Sequence, residues 1–242
     1  MAEFYLTDNI RVVNDKMEYR VRDRFESLKN HNWHHILSEY GWSKIHKRWI
    51  TKLNKFSKVR VKNSLYGVLD CQSDGDCFFH CIANALNERD RYEGNYYNSM
   101  DIRKMVSDSI TEEQYDTIIS YYRIMADASD FSEGWDPYSI TSIDEFKEKI
   151  TTSGHEYWGD HILLQTLITN LNINIFIMNC NTIDNDYTIY NTFSEYNSSS
   201  DSIFLIYEDM CHFKLLGNFT GMIRSYFTDS TLPYELRILY EL

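Results

Sequence analysis

The chain has 242 residues, of which 43% are hydrophobic and 15% aromatic, and its formal net charge is −12. This composition excludes a disordered chain. The longest apolar stretch, LNINIFIMN, is far shorter than the roughly 20 residues of a membrane-spanning helix. The first residues, MAEFYLTDNI, lack the basic flank and apolar core of a signal peptide, which predicts a cytoplasmic protein.

Charge divides the chain near residue 62. Residues 1–62 have a balance of +7, and residues 63–242 have a balance of −19. Apolar residues recur at helical spacing in WSKIHKRWITKLNKF, and the same spacing occurs upstream at Met17, Val21, Phe25 and Leu28. These patterns predict a basic helical N-terminal extension over residues 1–62. Two roles are open for it: an arm that meets a nucleic acid or a membrane surface, or helices that pack on the acidic body.

Helices precede strands in the rest of the chain. Periodicity predicts helices near 77–86, 98–108, 111–127, 142–151 and 160–170, and strands near 173–179, 186–191, 202–208 and 212–217. A last helix begins at Pro233, with Leu236 and Leu239 on one face. This order predicts an α+β domain over residues 63–242, with a small mixed or antiparallel sheet packed between helices.

Cys77 stands where the first of these helices begins, in SDGDCFFHCIANAL. A helix N-terminus favours a thiolate, and Gly75 allows the sharp entry that precedes it. The N–H groups of Gly75, Asp76 and Cys77 are placed to converge as an oxyanion hole. Taken alone, the pattern is more typical of a buried cysteine, which is how we interpret Cys81 one turn later.

The five cysteines are an odd number, which predicts reduced thiols rather than disulfides. Cys71, Cys77 and Cys81 beside His80 raise the alternative of a structural zinc site. Their C-x5-C-x3-C spacing matches no common zinc motif. We therefore expect no metal and no cofactor.

His212 is the histidine that follows an apolar strand and begins the next one. A nucleophilic cysteine needs an imidazole that usually comes from a distant part of the chain, and a rigid sheet edge is a good mount for a general base. The sequence therefore pairs His212 with Cys77.

Three segments, in this order, resemble the ovarian tumour (OTU) family of cysteine proteases. They are DGDCFFHCIANAL at the helix start, the block EYWGDHILLQTLITNLNINIFIMN, and CHFKLL on the late strand. The resemblance covers roughly residues 63–217, and the tail looks like OTU-like proteins of large DNA viruses. It implies a papain-like cysteine protease of OTU type, acting in the host cytosol or virion if the chain is viral.

The resemblance also implies an activity, which is hydrolysis of ubiquitin from conjugates. The implied partners are ubiquitin, polyubiquitin chains and ubiquitin-like modifiers, and a channel lined by acids and aromatic residues would suit ubiquitin's arginine-bearing tail. By position, Cys77 is the nucleophile, His212 is the general base, and Asp74 orders the oxyanion loop. The implied substrate-binding residues are Trp158, Gly159 and Phe213.

One position departs from the family pattern. Many members place Asn or Asp two residues after the histidine to fix its tautomer, but this chain has Lys214, which offers no acceptor. The orienting group is then expected from elsewhere, and the candidates are Asp74, Glu208, Asp209, Asn179, a backbone carbonyl or a water. The alternative function is a non-catalytic ubiquitin-binding module or a scaffold.

Overall fold

The computed structural model describes residues 3–58, 65–131, 134–159, 161–190 and 195–242. Within these ranges the strands are β1 (Glu3–Thr7), β2 (Ile10–Val13), β3 (Lys16–Val21), β4 (Arg24–Ser27), β5 (Trp42–Lys44), β6 (Tyr66–Asp70), β7 (Ile173–Cys180), β8 (Asp201–Glu208), β9 (His212–Phe219) and β10 (Ile223–Arg224). The helices are α1 (Trp33–Ile36), α2 (Lys47–Phe56), α3 (Cys77–Arg89), α4 (Ser99–Ser109), α5 (Glu112–Asp127), α6 (Ile143–Thr151), α7 (His161–Leu171) and α8 (Tyr234–Tyr240). None of the helices described here is long and apolar enough to cross a bilayer.

A six-stranded sheet forms the centre of the fold. Its order is β5-β6-β9-β8-β7, with β10 paired to β9, and β7 and β8 are parallel whereas the other pairs are antiparallel. Successive side chains point to opposite faces. Ile175 and Ile203 pack with helices α3 to α7, and Phe176 and Phe204 pack with α2 and α8. The predicted α+β fold, with a mixed sheet between helices, is confirmed.

The N-terminal residues form a sheet where the sequence predicted a helix. Strands β1 to β4 make a separate antiparallel meander, and Met17 of β3 pairs with Val12 of β2. The prediction of a helix over residues 17–28 is therefore wrong. A spacing of four residues fits a strand as well as a helix, because four is also a multiple of two. The turn at Asn14 and Asp15, both with positive φ, is the hairpin signal that decides between them.

The basic helix α2 is confirmed, and it belongs to the core of the molecule. Trp49 and Leu53 are completely buried beneath the central sheet, and the Trp49 indole donates to the Asn179 carbonyl at 2.9 Å. Trp49 and Leu53, which precede the change of charge near residue 62, therefore share one hydrophobic core with Tyr66 and Val68, which follow it. A domain boundary there stays a prediction, since residues 59–64 lie outside the described ranges.

The strand predicted over residues 186–191 is also not formed. Asp186 and Ile189 make only isolated bridges, to Asn181 and Met178, and residue 191 lies outside the described ranges. The other predicted helices and strands appear within a few residues of their expected bounds. Pro233 caps the start of α8, whose Leu236 is completely buried.

Candidate active site

Cys77 is the first residue of α3 and its side chain is 8% exposed. The backbone N–H of Phe213 donates to its Sγ at 3.4 Å, which ties the start of the helix to β9. The thiol lines a cavity of about 700 Å³. It therefore combines the positive end of a helix with access from the cavity, which are the conditions that make a thiol reactive.

His212 begins β9 and lies between the Cys77 thiol and the carboxylate of Asp70. Its Nε2 is 2.9 Å from Asp70 Oδ1. An ionised carboxylate only accepts, so Nε2–H donates, and Nδ1 is the ring nitrogen left for the thiol. The hydrogen bond with Cys77 is the largest cause that raises the pKa of His212; partial burial opposes it, and Asp70 adds to it. The imidazolium is favoured as a result.

Asp70 reaches the histidine through the register of the sheet. It pairs with Lys214 across β6 and β9, and His212 lies two residues before Lys214 on the same face of β9. Asp70 and His212 are thus diagonal neighbours on adjacent strands, within reach of long side chains. No motif in the sequence marks Asp70 as a partner of the histidine. Its only local signal is an acid that ends the apolar stretch YGVL.

The orienting groups considered from the sequence all bind other partners. Asp74 accepts from the Asp76 N–H at 2.9 Å and contacts His80 Nε2 at 3.1 Å. The remaining three are bound as follows: Glu208 to Lys214 Nζ at 2.6 Å, Asp209 to the Thr182 N–H at 2.7 Å, and Asn179 Nδ2 to Asp186 at 2.6 Å. Asp74 therefore binds within the loop before Cys77, its role there stays a prediction, and Asp70 contacts the histidine.

A buried ion pair holds the loop before Cys77 in place. Asp76 is 2% exposed and binds Arg103 of α4, which is completely buried and also donates to the carbonyls of Ile150 at 2.8 Å and Tyr157 at 2.9 Å. The Gly154 N–H donates to Asp76 at 3.0 Å. These hydrogen bonds outweigh burial and hold the pKa of Asp76 below its usual value. Arg103 thereby joins the start of α3 to the segment that carries Trp158.

The three backbone N–H groups expected to bind an oxyanion, those of Gly75, Asp76 and Cys77, have different surroundings. The Asp76 N–H already donates to Asp74, so it does not point at the cavity. Cys77 occupies the first turn of α3, where N–H groups have no partner within the helix. Gly75 has a φ of +90° and lies against the backbone of Gly154. Oxyanion donation by the Cys77 and Gly75 N–H groups stays a prediction.

Replacing Gly75 by alanine is expected to displace this loop. A Cβ there would lie 2.4 Å from the Gly154 carbonyl carbon, at a φ that already disfavours a side chain. We expect a loss of about 10²-fold in kcat, comparable to removal of one oxyanion donor. Gly94→Ala is the matched control, because Gly94 has a φ of +76° and nothing within 4 Å of its Cβ position. Equal kcat losses in both variants would contradict this explanation.

The three predicted substrate-binding residues line the cavity beside Cys77. Trp158 is 39% exposed, Phe213 stacks on Tyr207 with centroids 4.6 Å apart, and Gly159 is packed so closely on Phe78 that a Cβ would lie 2.2 Å from that ring. The other lining side chains are mostly aromatic or apolar, and the described lining includes no acid. The aromatic part of the predicted channel is therefore present, and no acidic part is found among the described residues.

Two further cysteines lie close to the site. Cys81 is completely buried, its Sγ is 3.5 Å from Cys71 Sγ, and burial raises the pKa of its thiol. Both are free thiols in the core, which fits the packing role expected for Cys81. Side-chain atoms of Asp74, Asp76 and His80 lie within 4.8 Å of one another, the only such possible metal group among the described residues. Their hydrogen bonds to one another and to Arg103 account for that closeness without an ion.

Comparison with known proteins identifies one family. The sequence model of the family described as OTU-like cysteine protease matches residues 72–213, more than half of the chain. A search of curated proteins gave no match. Similar solved structures include the Hazara virus OTU bound to ubiquitin (15% identity, TM-score 0.39, covering 65% of this chain and 86% of that one) and an OTU deubiquitinase from Wolbachia pipientis wMel bound to ubiquitin (13%, 0.42, 63% and 96%). A third is an OTU domain in complex with ubiquitin (18%, 0.43, 72% and 80%).

Proposed function

Because the chain belongs to the OTU-like cysteine protease family, we propose that it is a deubiquitinase, which hydrolyses ubiquitin from conjugates as a cysteine-type isopeptidase and thioesterase. Its α+β fold is of the papain-like OTU type. The observation that carries the proposal is the line of contacts from Cys77 through His212 to Asp70. Ubiquitin, polyubiquitin and ubiquitin-like modifiers are the proposed substrates, and the cytoplasm, where thiols stay reduced, is the proposed location.

Each group has a defined part in the proposed reaction. The Cys77 thiolate attacks the carbonyl carbon of the scissile bond, and the Cys77 and Gly75 N–H groups donate to the oxygen that becomes negative. His212 gives its proton to the departing amine, and then takes one from the water that hydrolyses the thioester. Asp70 holds the ring so that Nδ1 faces the thiol. Trp158, Gly159 and Phe213 contact the substrate tail.

An electrophilic ubiquitin-tail probe tests this proposal. Wild type is expected to form a covalent adduct and to cleave at least one di-ubiquitin linkage, whereas Cys77→Ala does neither. Cys211→Ala is the matched control, since Cys211 is an exposed thiol that lines the same cavity. Labelling of Cys77→Ala, or loss of labelling in Cys211→Ala alone, would contradict the assignment of the nucleophile.

The alternative of a non-catalytic ubiquitin-binding module arose from Lys214. In the structure Asp70 contacts the histidine from the neighbouring strand, so an acid does not have to occupy position 214. This supports the active enzyme over the binding module. Measurable ubiquitin affinity of wild type without cleavage of any linkage would reverse that preference.

A second candidate function concerns the exposed surface of α2. Lys47, Arg48 and Lys55 project there, and within the described ranges none of them forms an ion pair with a carboxylate. The apolar side of α2, including Trp49 and Leu53, is buried and so cannot insert into a membrane. We propose a nucleic-acid backbone as the partner of this surface.

Neutralising α2 is expected to weaken binding to a 20-base-pair duplex. The triple variant Lys47→Gln/Arg48→Gln/Lys55→Gln should reduce the slope of log K against log salt by about 0.9 per lost phosphate contact. Lys104→Gln, on the exposed side of α4, is the control. Fluorescence anisotropy at several salt concentrations measures both. Undiminished binding by the triple variant, or tighter binding to anionic vesicles than to the duplex, would refute this partner.

A further inference from the structure

Lys214 lies in the sheet between two carboxylates from neighbouring strands. Its Nζ is 2.6 Å from Glu208 Oε2 on β8 and 3.8 Å from Asp70 Oδ2 on β6. Its side chain is 16% exposed, whereas that of Asp70 is 57% exposed. The cation is therefore held more firmly by its surroundings than the acid that contacts His212.

Asp70 needs a restraint beyond its bond to His212. A carboxylate turns about a broad terminal torsion, and on an exposed side chain water competes for both oxygens. His212 binds Oδ1 at 2.9 Å, and Lys214 faces Oδ2. A cation at the second oxygen restricts that rotation and so keeps the first oxygen directed at the ring.

Glu208 fixes the position of Lys214 in turn. Partial burial works to lower the pKa of Lys214, but Glu208 and then Asp70 raise it, and it lies above its ordinary value. The ammonium group is therefore charged at neutral pH. Its short contact with Glu208 anchors it beside Asp70 rather than leaving it in solvent.

We propose that Lys214 is a positioning residue, which holds Asp70 against His212 by acting on its second carboxylate oxygen. The kinetic consequence of this role rests on the proposed deubiquitinase function. The structural consequence concerns only these three side chains, so it can be measured whether or not the protein cleaves ubiquitin.

A rival explanation is that Lys214 only offsets nearby negative charge. The titratable groups around it and His212 are Cys77 on α3, Asp70 on β6, Cys180 on β7, Glu208 on β8 and Asp209 in the following turn. If Lys214 only offsets charge, its removal leaves the acids in place and raises the pKa of His212. If it positions Asp70, its removal also releases that acid, and because Asp70 contacts the ring directly the net effect is a fall in the pKa of His212. The two explanations predict opposite signs.

Titration of the His212 ring by NMR distinguishes them. We expect a lower His212 pKa in Lys214→Met and Lys214→Gln, and a value close to wild type in Lys214→Arg, which keeps the charge. Lys104→Met is the matched control, because Lys104 also pairs with a carboxylate, that of Asp108 at 2.8 Å, but on the exposed surface of α4. A raised or unchanged His212 pKa in the Met and Gln variants would overturn the proposal.

Steady-state kinetics supply the second readout. Lys214→Met is expected to lower kcat by roughly 10- to 100-fold with little change in KM, because it misplaces a catalytic group and removes no substrate contact. Lys214→Arg should recover most of that loss. An active wild type with unaffected Lys214 variants would refute this inference alone. An inactive wild type in which Lys214→Met still lowers the His212 pKa would refute the proposed function alone.

Discussion

Asp70→Ala is expected to lower kcat/KM for ubiquitin cleavage by about 10²- to 10⁴-fold, the range found when general acid–base machinery loses its orienting acid. Asp70 Oδ1 lies 2.9 Å from His212 Nε2. Without it the ring has no carboxylate to keep Nε2 protonated and Nδ1 facing Cys77. The rate of cleavage at low substrate concentration measures the change in kcat/KM. The rate of adduct formation with the ubiquitin-tail probe shows whether the attack by Cys77 is the step that slows.

Asp70→Ala is also expected to shift the pH dependence of kcat/KM. The pKa of His212 lies above its ordinary value of 6.5, first through Cys77 and then through Asp70. A raised histidine pKa means that the protonated ring persists at higher pH and is lost as pH rises through that pKa. The alkaline limb of the kcat/KM profile should therefore lie above pH 6.5 in wild type and move to lower pH in Asp70→Ala.

Asp209→Ala is the control for both effects. Asp209 was an equally plausible orienting acid from the sequence, but its carboxylate accepts from the Thr182 N–H at 2.7 Å. Its removal should leave kcat/KM and the alkaline limb close to wild type. If Asp209→Ala lowers kcat/KM as much as Asp70→Ala does, Asp70 is not the orienting acid. The same conclusion follows if Asp70→Ala leaves the alkaline limb of the kcat/KM profile in place.

Arg103→Met is expected to reduce the free energy of unfolding by about 3–5 kcal/mol, because it leaves a buried carboxylate without its counter-charge. Asp76 is 2% exposed and Arg103 is completely buried. For a chain of this size each kcal/mol lowers Tm by roughly 2–4 °C. Urea unfolding and differential scanning calorimetry measure the two quantities.

A surface pair and a double variant control this prediction. Lys104→Met breaks an exposed i,i+4 pair with Asp108 on the same helix as Arg103, and it should cost less than about 1 kcal/mol. Arg103→Met/Asp76→Asn should recover part of the stability, because no unpaired buried charge remains. If Arg103→Met lowers the free energy of unfolding no more than Lys104→Met does, the Arg103–Asp76 pair does not hold the loop before Cys77.

Local patterns predicted most of the central elements. The helix that begins at Cys77, the strand that begins at His212 and the burial of Trp49 and Leu53 on α2 agree with the structure. One failure comes from a spacing that fits two structures. Residues 17–28 satisfied a helical repeat, yet they form hairpin strands because the positive-φ turn at Asn14 pairs them with β2.

The sequence by itself predicted the nucleophile, the base and the loop before Cys77, because Cys77 and His212 stand at element boundaries within recognisable motifs. Only the tertiary structure decided which acid contacts His212 and what secures the loop before Cys77. Asp70 meets His212 across 142 positions through strand register, and Arg103 reaches Asp76 through the packing of α4 against α3. Register and packing depend on contacts distant in sequence, which no local pattern specifies.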